Sequence, residues 1–231
     1  MAGFMNSEPV KTVSIGFSEK KFDELKYARI VAERYNTDHA EFVVSPDALN
    51  ILDKIVWHFD EPFADASAIP TYYVSEMARK KVKVALSGDG GDEIFAGYIM
   101  RYRMNRMENS IRKKIPFMVR RYILGPISNV YPKADFFPRP LRLKSFLSNL
   151  SHSFEHAYFQ DMSFYFLPEM KQKLYTSEFK SKVSNYNAFD VLGRHFAENK
   201  NSDITTRVQY VDIKTYLPED ILVKVDRSTY S

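Results

Sequence analysis

The chain has 231 residues, a net charge of +4 and 45% hydrophobic residues, enough for one large α/β domain or two small ones whose core needs no covalent staples. This composition excludes wholesale disorder, and no apolar run approaches the roughly 20 residues a membrane helix needs. There is no cysteine, which excludes disulfides and thiolate metal sites and suits a reducing compartment. The opening MAGFMNSEPVK has no charged start followed by an apolar stretch, so it does not read as a secretory signal. A cytoplasmic protein with no membrane partner is the expectation.

In chain order, KTVSIGF at 11–17 predicts a short strand, rich in β-branched and aromatic residues. A helix is expected over about 20–35, because Phe22, Leu25, Ala28, Ala32 and Tyr35 recur at three- and four-residue spacings. A second strand is expected from His39 to Val44. Ser45-Pro46-Asp47 then reads as a helix start, with Leu49, Leu52, Ile55, Val56 and Phe59 as its buried stripe. Asp60 to Phe63 breaks that helix, and Ser67 to about Lys80 predicts another. Val82 to Leu86 is expected as a strand that ends in the turn-rich SGDGGDE, with a further helix starting near Glu93.

This order predicts an α/β fold, a parallel sheet flanked by helices on both faces, over residues 1–102. Residues 103–231 carry no further run of alternating strands and are expected to be mainly helical, a helical subdomain of the same fold, with Pro116, Pro126, Pro132, Pro138 and Pro140 cutting turns into it. Charge is uneven along the chain. Twelve Lys and Arg between Arg101 and Lys144 stand against only Glu108 and Asp135, a net +10 that leaves −6 on the remainder. Interleaved Tyr and Phe would suit nucleic acid. No helix-turn-helix, zinc or RNP-type pattern accompanies them, so a solvated helical surface beside a polyphosphate site is preferred and nucleic acid is not the expected partner.

The chemistry concentrates in Ser87-Gly88-Asp89-Gly90-Gly91-Asp92-Glu93. At the carboxyl end of a parallel strand such a loop sits where ligands bind. Its glycines let backbone N–H groups approach a ligand, and Ser87 adds a hydroxyl. Three carboxylates in five residues would repel a phosphate unless a divalent cation stood between them, and magnesium is the cation that takes carboxylate and phosphate oxygens together. The loop therefore points to a magnesium-nucleotide site. A Gly/Asp-rich surface turn is the competing reading; a calcium-type EF-hand loop lacks the spacing it requires.

SGDGGDEIFAGY, with DEPFADASAIPTYYVSEMARKKVKVAL before it, resembles the stretch of asparagine synthetases that carries the SG(E/D)GxDE(x)F(x)GY motif. VDIKTYLPEDILVKVDR is similar to that family's YLPxDxLxKxDR segment, and VKTVSIGFSEKKFDELKYARIVAERYNTDHAEF to its adenine-side strand, helix and next strand. The resemblance covers essentially the whole chain. RYRMNR and YPKADFFPRPLRLKSFL look most like the asparagine-synthetase-like amidotransferases encoded with exopolysaccharide and exosortase systems.

The resemblance implies an adenine nucleotide alpha hydrolase-like (ATP pyrophosphatase) fold with ATP and magnesium as cofactors. ATP adenylates the side-chain carboxylate of aspartate, and ammonia from a glutaminase domain elsewhere then displaces AMP. It implies an adenine contact from the backbone of Ile15, nucleotide contacts from Ser87, Gly88 and Gly90, and a role for Asp89 at the acyl-adenylate. Asp92 is implied as a magnesium ligand. Asp65, Ser67 and Glu93 are implied at the substrate pocket, although Asp65 or Ser67 could equally cap the helix that follows. Lys224, Asp226 and Arg227 fall in a segment that borders the active site and are given no individual roles. An adenylating ligase for another carboxylate, or a remnant that binds nucleotide without turnover, are the alternatives within the same fold.

The family's SGGxDS pyrophosphate loop would precede the first strand, and its E-x-R-x-P segment would follow KVDR; neither is in this sequence, and STYS departs from the family pattern. The expectation is therefore a truncated synthetase domain with weak or absent catalysis, and a tendency to form homo-oligomers through exposed strand edges.

Overall fold

In the computed structural model, which describes residues 8–17, 25–44, 48–132, 138, 142–163 and 166–229, the β-branched run Lys11–Phe17 forms strand β1 and Asp38–Val44 forms strand β2. The two pair in parallel, in a register that sets Ile15 opposite Phe42. Parallel neighbours need a crossover; helix α1 (Leu25–Tyr35) supplies it and packs on both strands. Leu25 is buried and Ala28 and Ala32 are half-buried, as the periodicity predicts, but Tyr35 is exposed. Phe22 and the expected Ser45-Pro46-Asp47 cap lie outside the described residues.

Helix α2 (Ala48–Phe59) buries Ile51, Ile55 and Phe59 against Ala68 and Tyr72 of α3 (Ala68–Arg79). The expected stripe is corrected by one position. Leu52 and Val56 are 50% and 60% exposed, because the neighbours of α2 cover the line 51, 55, 59 and leave the adjacent line 52, 56 open. Asp60, at φ 57°, ends α2 in the left-handed region.

The expected strand Val82–Leu86 is also corrected. It bends at Lys83 and Val84 and joins no ladder, and Val84 and Leu86 are 82% and 75% exposed. Strand-like apolar residues do not make a strand unless they pair with an edge, and residues 82–86 pair with none among the described residues. The sheet is thus two strands, β1-β2, and Val43 at 69% exposure leaves part of β2 uncovered. Among the described residues the fold is helix-rich with a small parallel sheet, consistent with the expected α/β class.

The described elements fall into two compact units, Met1–Asp89 with Pro218–Ser231, and Gly90–Leu217. The first holds β1, β2 and α1 to α3, joined by the final helix of the chain, which packs on α2 and α3. The second is helical: α4 (Gly91–Phe95), α5 (Ile99–Lys114) and α6 (Phe117–Val119), then a π-turn at Arg120–Leu124 running into α7 (Gly125–Val130). It continues with α8 (Lys144–Ser151), α9 (Phe154–Met162), α10 (Pro168–Leu174), α11 (Ser177–Lys182), α12 (Phe189–Glu198) and α13 (Ile204–Lys214). A second π-turn, Leu217–Ile221, leads into the final helix, α14 (Leu222–Ser228). The helical core is aromatic: Tyr102, Phe154, Tyr158 and Phe196 close around Val208 and Val211.

Several members of the basic stretch are used inside this helical unit. Arg112 donates to Asn149 O at 2.7 Å, and Arg120 donates to His152 O at 2.9 Å and to Leu150 O, so two guanidiniums satisfy the carbonyls at the C-terminal end of α8. Arg112 also pairs with buried Glu108 at 3.1 Å. Lys144 donates to Tyr131 O at 3.1 Å. No described helix is long and apolar enough to cross a membrane.

Candidate functional site

Ser87, Gly88 and Asp89, at the end of the first unit, are exposed. A Cβ added at Gly88 or Gly91 would meet nothing within 4 Å, so the backbone at both positions is open to close approach. Gly90 has φ +88°, which side-chain-bearing residues rarely adopt, and Leu217 Cδ2 would lie 3.6 Å from its Cβ. Glycine is therefore needed at 90 to make the turn that begins α4. Ile15 lies mid-strand in β1, half-buried, with its backbone in the parallel ladder.

In the second unit α4 is one helical turn closed by a hook. Ile94 N donates to Gly90 O at 3.1 Å and Gly97 N to Asp92 O at 2.8 Å. Ala96, at the C-cap, has φ 56°, a conformation that costs an alanine on the order of 1–2 kcal/mol. Asp92 is exposed, and its carboxylate lies over Gly97, where a Cβ would sit 1.8 Å from Oδ1. Glu93 turns the opposite way. It is fully buried and accepts a 2.6 Å hydrogen bond from Tyr98 Oη. Burial, and then the bond to Glu93, hold the Tyr98 phenol protonated well above its usual range. Gln209, on α13, donates from one amide nitrogen to Glu93 O at 2.9 Å and to Ile94 O at 2.8 Å.

Behind this hook, Asp212 is fully buried. It accepts from Tyr158 Oη and, at 3.2 Å, from Tyr102 Oη, with Arg101 3.5 Å away. Burial pushes the Asp212 carboxyl pKa up, against the Tyr158 hydrogen bond and the charge of Arg101, which lower it. The Arg101 guanidinium also lies over the rings of Tyr98 and Tyr216, at 4.3 and 5.2 Å.

The first unit assembles a second polar cluster. Asp65 Oδ1 accepts from Ser67 N at 2.9 Å and Oδ2 from Ser67 Oγ at 2.6 Å. Ser67 occupies the N-cap position of α3 but makes no side-chain cap bond; the carboxylate of Asp65 takes the N–H of Ser67 instead. Lys224, on α14, donates to both, 2.9 Å to Asp65 Oδ2 and 2.7 Å to Ser67 Oγ. Burial alone would raise the Asp65 pKa, but the Ser67 hydrogen bonds and the Lys224 ammonium outweigh it and hold the carboxyl below its ordinary value. Asp220, one helical turn before Lys224, is driven the other way by burial and by the charge of Asp65, and its Oδ1 is buried without a hydrogen-bond partner. Asp226 is exposed and Arg227 half-buried on α14. A cavity of about 520 Å³ lined by Phe159, Tyr175 and Phe179 contains none of these residues.

Asp92, on α4, is an exposed carboxylate that suits magnesium, which keeps waters and takes one or two carboxylates plus phosphate oxygens rather than an all-protein cage. No group of three or more Asp, Glu, His or Cys placed to hold a metal occurs among the described residues.

The family model described as asparagine synthase matches residues 1–231. The chain belongs to the asparagine synthase family. Asparagine synthetase [glutamine-hydrolyzing] 1 of Bacillus subtilis is 34% identical over 223 residues, covering 95% of this chain and 33% of that protein. A Mycobacterium bovis protein provisionally assigned the same activity is 34% identical over 221 residues, 94% of this chain and 31% of its own. A Methanocaldococcus jannaschii protein, provisionally assigned as a second such synthetase, reaches 46% over 119 residues, 51% of this chain and 23% of its own. The chain thus spans about a third of the length of the first two relatives. No solved structure matches it.

Within this asparagine synthase domain, sequence reading named Asp65, Ser67 and Lys224 but did not join them. Lys224 lies 159 positions from Asp65, beyond any local spacing argument; the one visible signal is the i,i+4 spacing of Asp220 and Lys224. Gln209, Tyr98 and the Asp212 group were missed for the same reason, since each acts on a segment remote in sequence or through burial.

Proposed function

We propose that this chain is the ATP-dependent synthetase portion of a glutamine-dependent asparagine synthetase. A carboxylate has a poor leaving group, so the reaction must first convert it. An oxygen of the aspartate side chain attacks the α-phosphorus of ATP, the bond from that phosphorus to the bridging oxygen breaks, and pyrophosphate departs. Ammonia, released from glutamine by a domain outside this chain, attacks the acyl carbon. The carbon–oxygen bond to AMP breaks, and one proton leaves the nitrogen as the amide forms.

In this reading the backbone of Ile15 meets the adenine. Ser87, Gly88 and Gly90 offer a hydroxyl and peptide N–H groups to the nucleotide. Asp89 sits at the activated carboxylate, and Asp92 would hold magnesium, which when bound neutralises phosphate charge. Asp65 and Ser67, fixed by Lys224, are assigned to the substrate pocket. Glu93, implied at the same pocket, is fully buried and accepts a hydrogen bond from Tyr98. The observation that carries the reading is the exposure of Ser87, Gly88 and Asp89 in the SGDGGDE motif, in a chain whose whole length matches the family.

Calorimetric titration of magnesium-ATP into the purified chain and into an Asp89→Ala, Asp92→Ala double variant tests it. Saturable binding that the variant loses is expected. A folded wild-type chain that binds nothing, or a variant that binds as well as wild type, overturns it.

A further inference from the structure

We infer that Gln209 is a positioning residue for Asp92, which it serves without touching the ligand. This rests on the reading of Asp92 as a magnesium ligand. A single helical turn cannot satisfy its own last carbonyls, and α4 has only five residues. Asp92 O is taken by Gly97 N. The next two carbonyls, Glu93 O and Ile94 O, both accept from Gln209 Nε2, at 2.9 and 2.8 Å. These bonds come from α13, a helix of 11 residues that also carries the buried Val208, Val211 and Asp212 of the aromatic core. Gln209 thus ties a short, strained hook to a helix seated in the buried core of its unit.

The need for the tie follows from the hook. Ala96 sits at φ 56°, and an alanine leaves that region when nothing over-determines it. If Ala96 relaxed, Gly97 would move with it, and the carboxylate of Asp92 packs directly against Gly97. Tyr98 secures the inward-facing Glu93 carboxylate; Gln209 secures the backbone on either side of the bond that follows it. Together they leave Asp92 as the outward carboxylate of α4, with the main chain that follows it held at Glu93 and Ile94.

Gln209→Met keeps the length and removes both hydrogen bonds. Gln209 is only half-buried, so the variant should retain the wild-type circular dichroism, with a melting midpoint lowered by about a few degrees. Two readouts are made on the full chain. Hydrogen exchange over residues 92–97 should accelerate in Gln209→Met and stay unchanged in Asp92→Asn. Magnesium titrated at saturating ATP should bind about tenfold more weakly to Gln209→Met, as expected for two lost neutral hydrogen bonds, while ATP affinity without metal is unaltered. Unchanged exchange at 92–97 overturns the tie itself. Faster exchange with wild-type magnesium affinity overturns its role at Asp92. Faster exchange in a chain where Asp92→Asn leaves magnesium binding intact overturns the metal reading of Asp92, and the positioning role falls with it although the tie stands.

Discussion

Lys224→Met is the substitution that asks most of the first unit. Methionine keeps the aliphatic stem of lysine, so what is lost is the ammonium and its two hydrogen bonds, to Asp65 Oδ2 and Ser67 Oγ. The side chains of Lys224 and Asp65 are 11% and 23% exposed. An exposed pair contributes less than about 1 kcal/mol, and breaking a fully buried one costs roughly 3–5 kcal/mol. With about a quarter of the carboxylate open to solvent screening, the expected loss is roughly 2–3 kcal/mol, between those limits and nearer the buried one. Asp220 adds to it, because removing Lys224 leaves Asp65 and Asp220 without the cation that offsets their repulsion.

A double-mutant cycle with Asp65→Asn, followed by urea denaturation and circular dichroism at pH 7, should give a coupling of about 1–2 kcal/mol. The pH dependence has a definite sign. The folded pKa of Asp65 is depressed, so its contribution is present above an unfolded carboxyl pKa of about 4 and is lost as pH falls through the lower folded value. Asp220 is raised; its contribution is present below about pH 4 and lost as pH rises through its folded pKa, so on acidification it partly offsets the loss at Asp65. In Lys224→Met the Asp65 acid limb should shrink. A coupling below about 0.5 kcal/mol, the scale of ordinary surface pairs, or an acid limb the same as wild type, would refute the reasoning.

Gly97→Ala should weaken magnesium binding more than nucleotide binding, because its Cβ would lie 1.8 Å from Asp92 Oδ1 and 3.0 Å from Asp92 Cα. The carboxylate must swing away, at a cost to stability of about 1–3 kcal/mol, and a magnesium titration identical to wild type would show that this close approach is not needed. Tyr158→Phe removes a hydrogen-bond donor from the fully buried Asp212. Tyr102 and Arg101 remain, so a loss of about 1–2 kcal/mol in urea denaturation is expected; an unchanged midpoint would mean that the Tyr158 bond contributes nothing net.

The parts of the fold that local pattern governs were legible in the sequence. Strands Lys11–Phe17 and Asp38–Val44 and the helix from Ala68 fall where β-branched runs and three-to-four spacings put them. What failed was whatever depends on a neighbour. Val82–Leu86 has a strand's composition and no strand beside it, and Leu52 and Val56 have a helix stripe's spacing but lie one line away from the covered face. Periodicity says which residues would gain from burial; it does not say which of two adjacent lines another element reaches. The same limit applies to the loop. Its glycines and carboxylates are plain in the sequence, yet nothing local says that Glu93 turns inward while Asp92 stays out.

The segment from Gln209 to Lys224 explains why that division took a structure to see. In the second unit Gln209 holds the carbonyls of α4 and Asp212 gathers Tyr102, Tyr158 and Arg101. In the first unit Asp220 and Lys224 close the cluster around Asp65 and Ser67. VDIKTYLPEDILVKVDR is recognisable as a motif in the sequence, but its residues carry no legible individual roles there, because their partners lie 54 to 159 positions earlier in the chain. None of these side chains belongs to the glycine loop. They hold in place the short, strained or half-exposed elements that carry Asp65, Ser67 and Asp92, which by themselves lack the length and burial to stay put. Perturbing this segment should therefore loosen Asp65 and Ser67 within the first unit and Asp92 within the second, while leaving Ser87, Gly88 and Asp89 chemically unaltered.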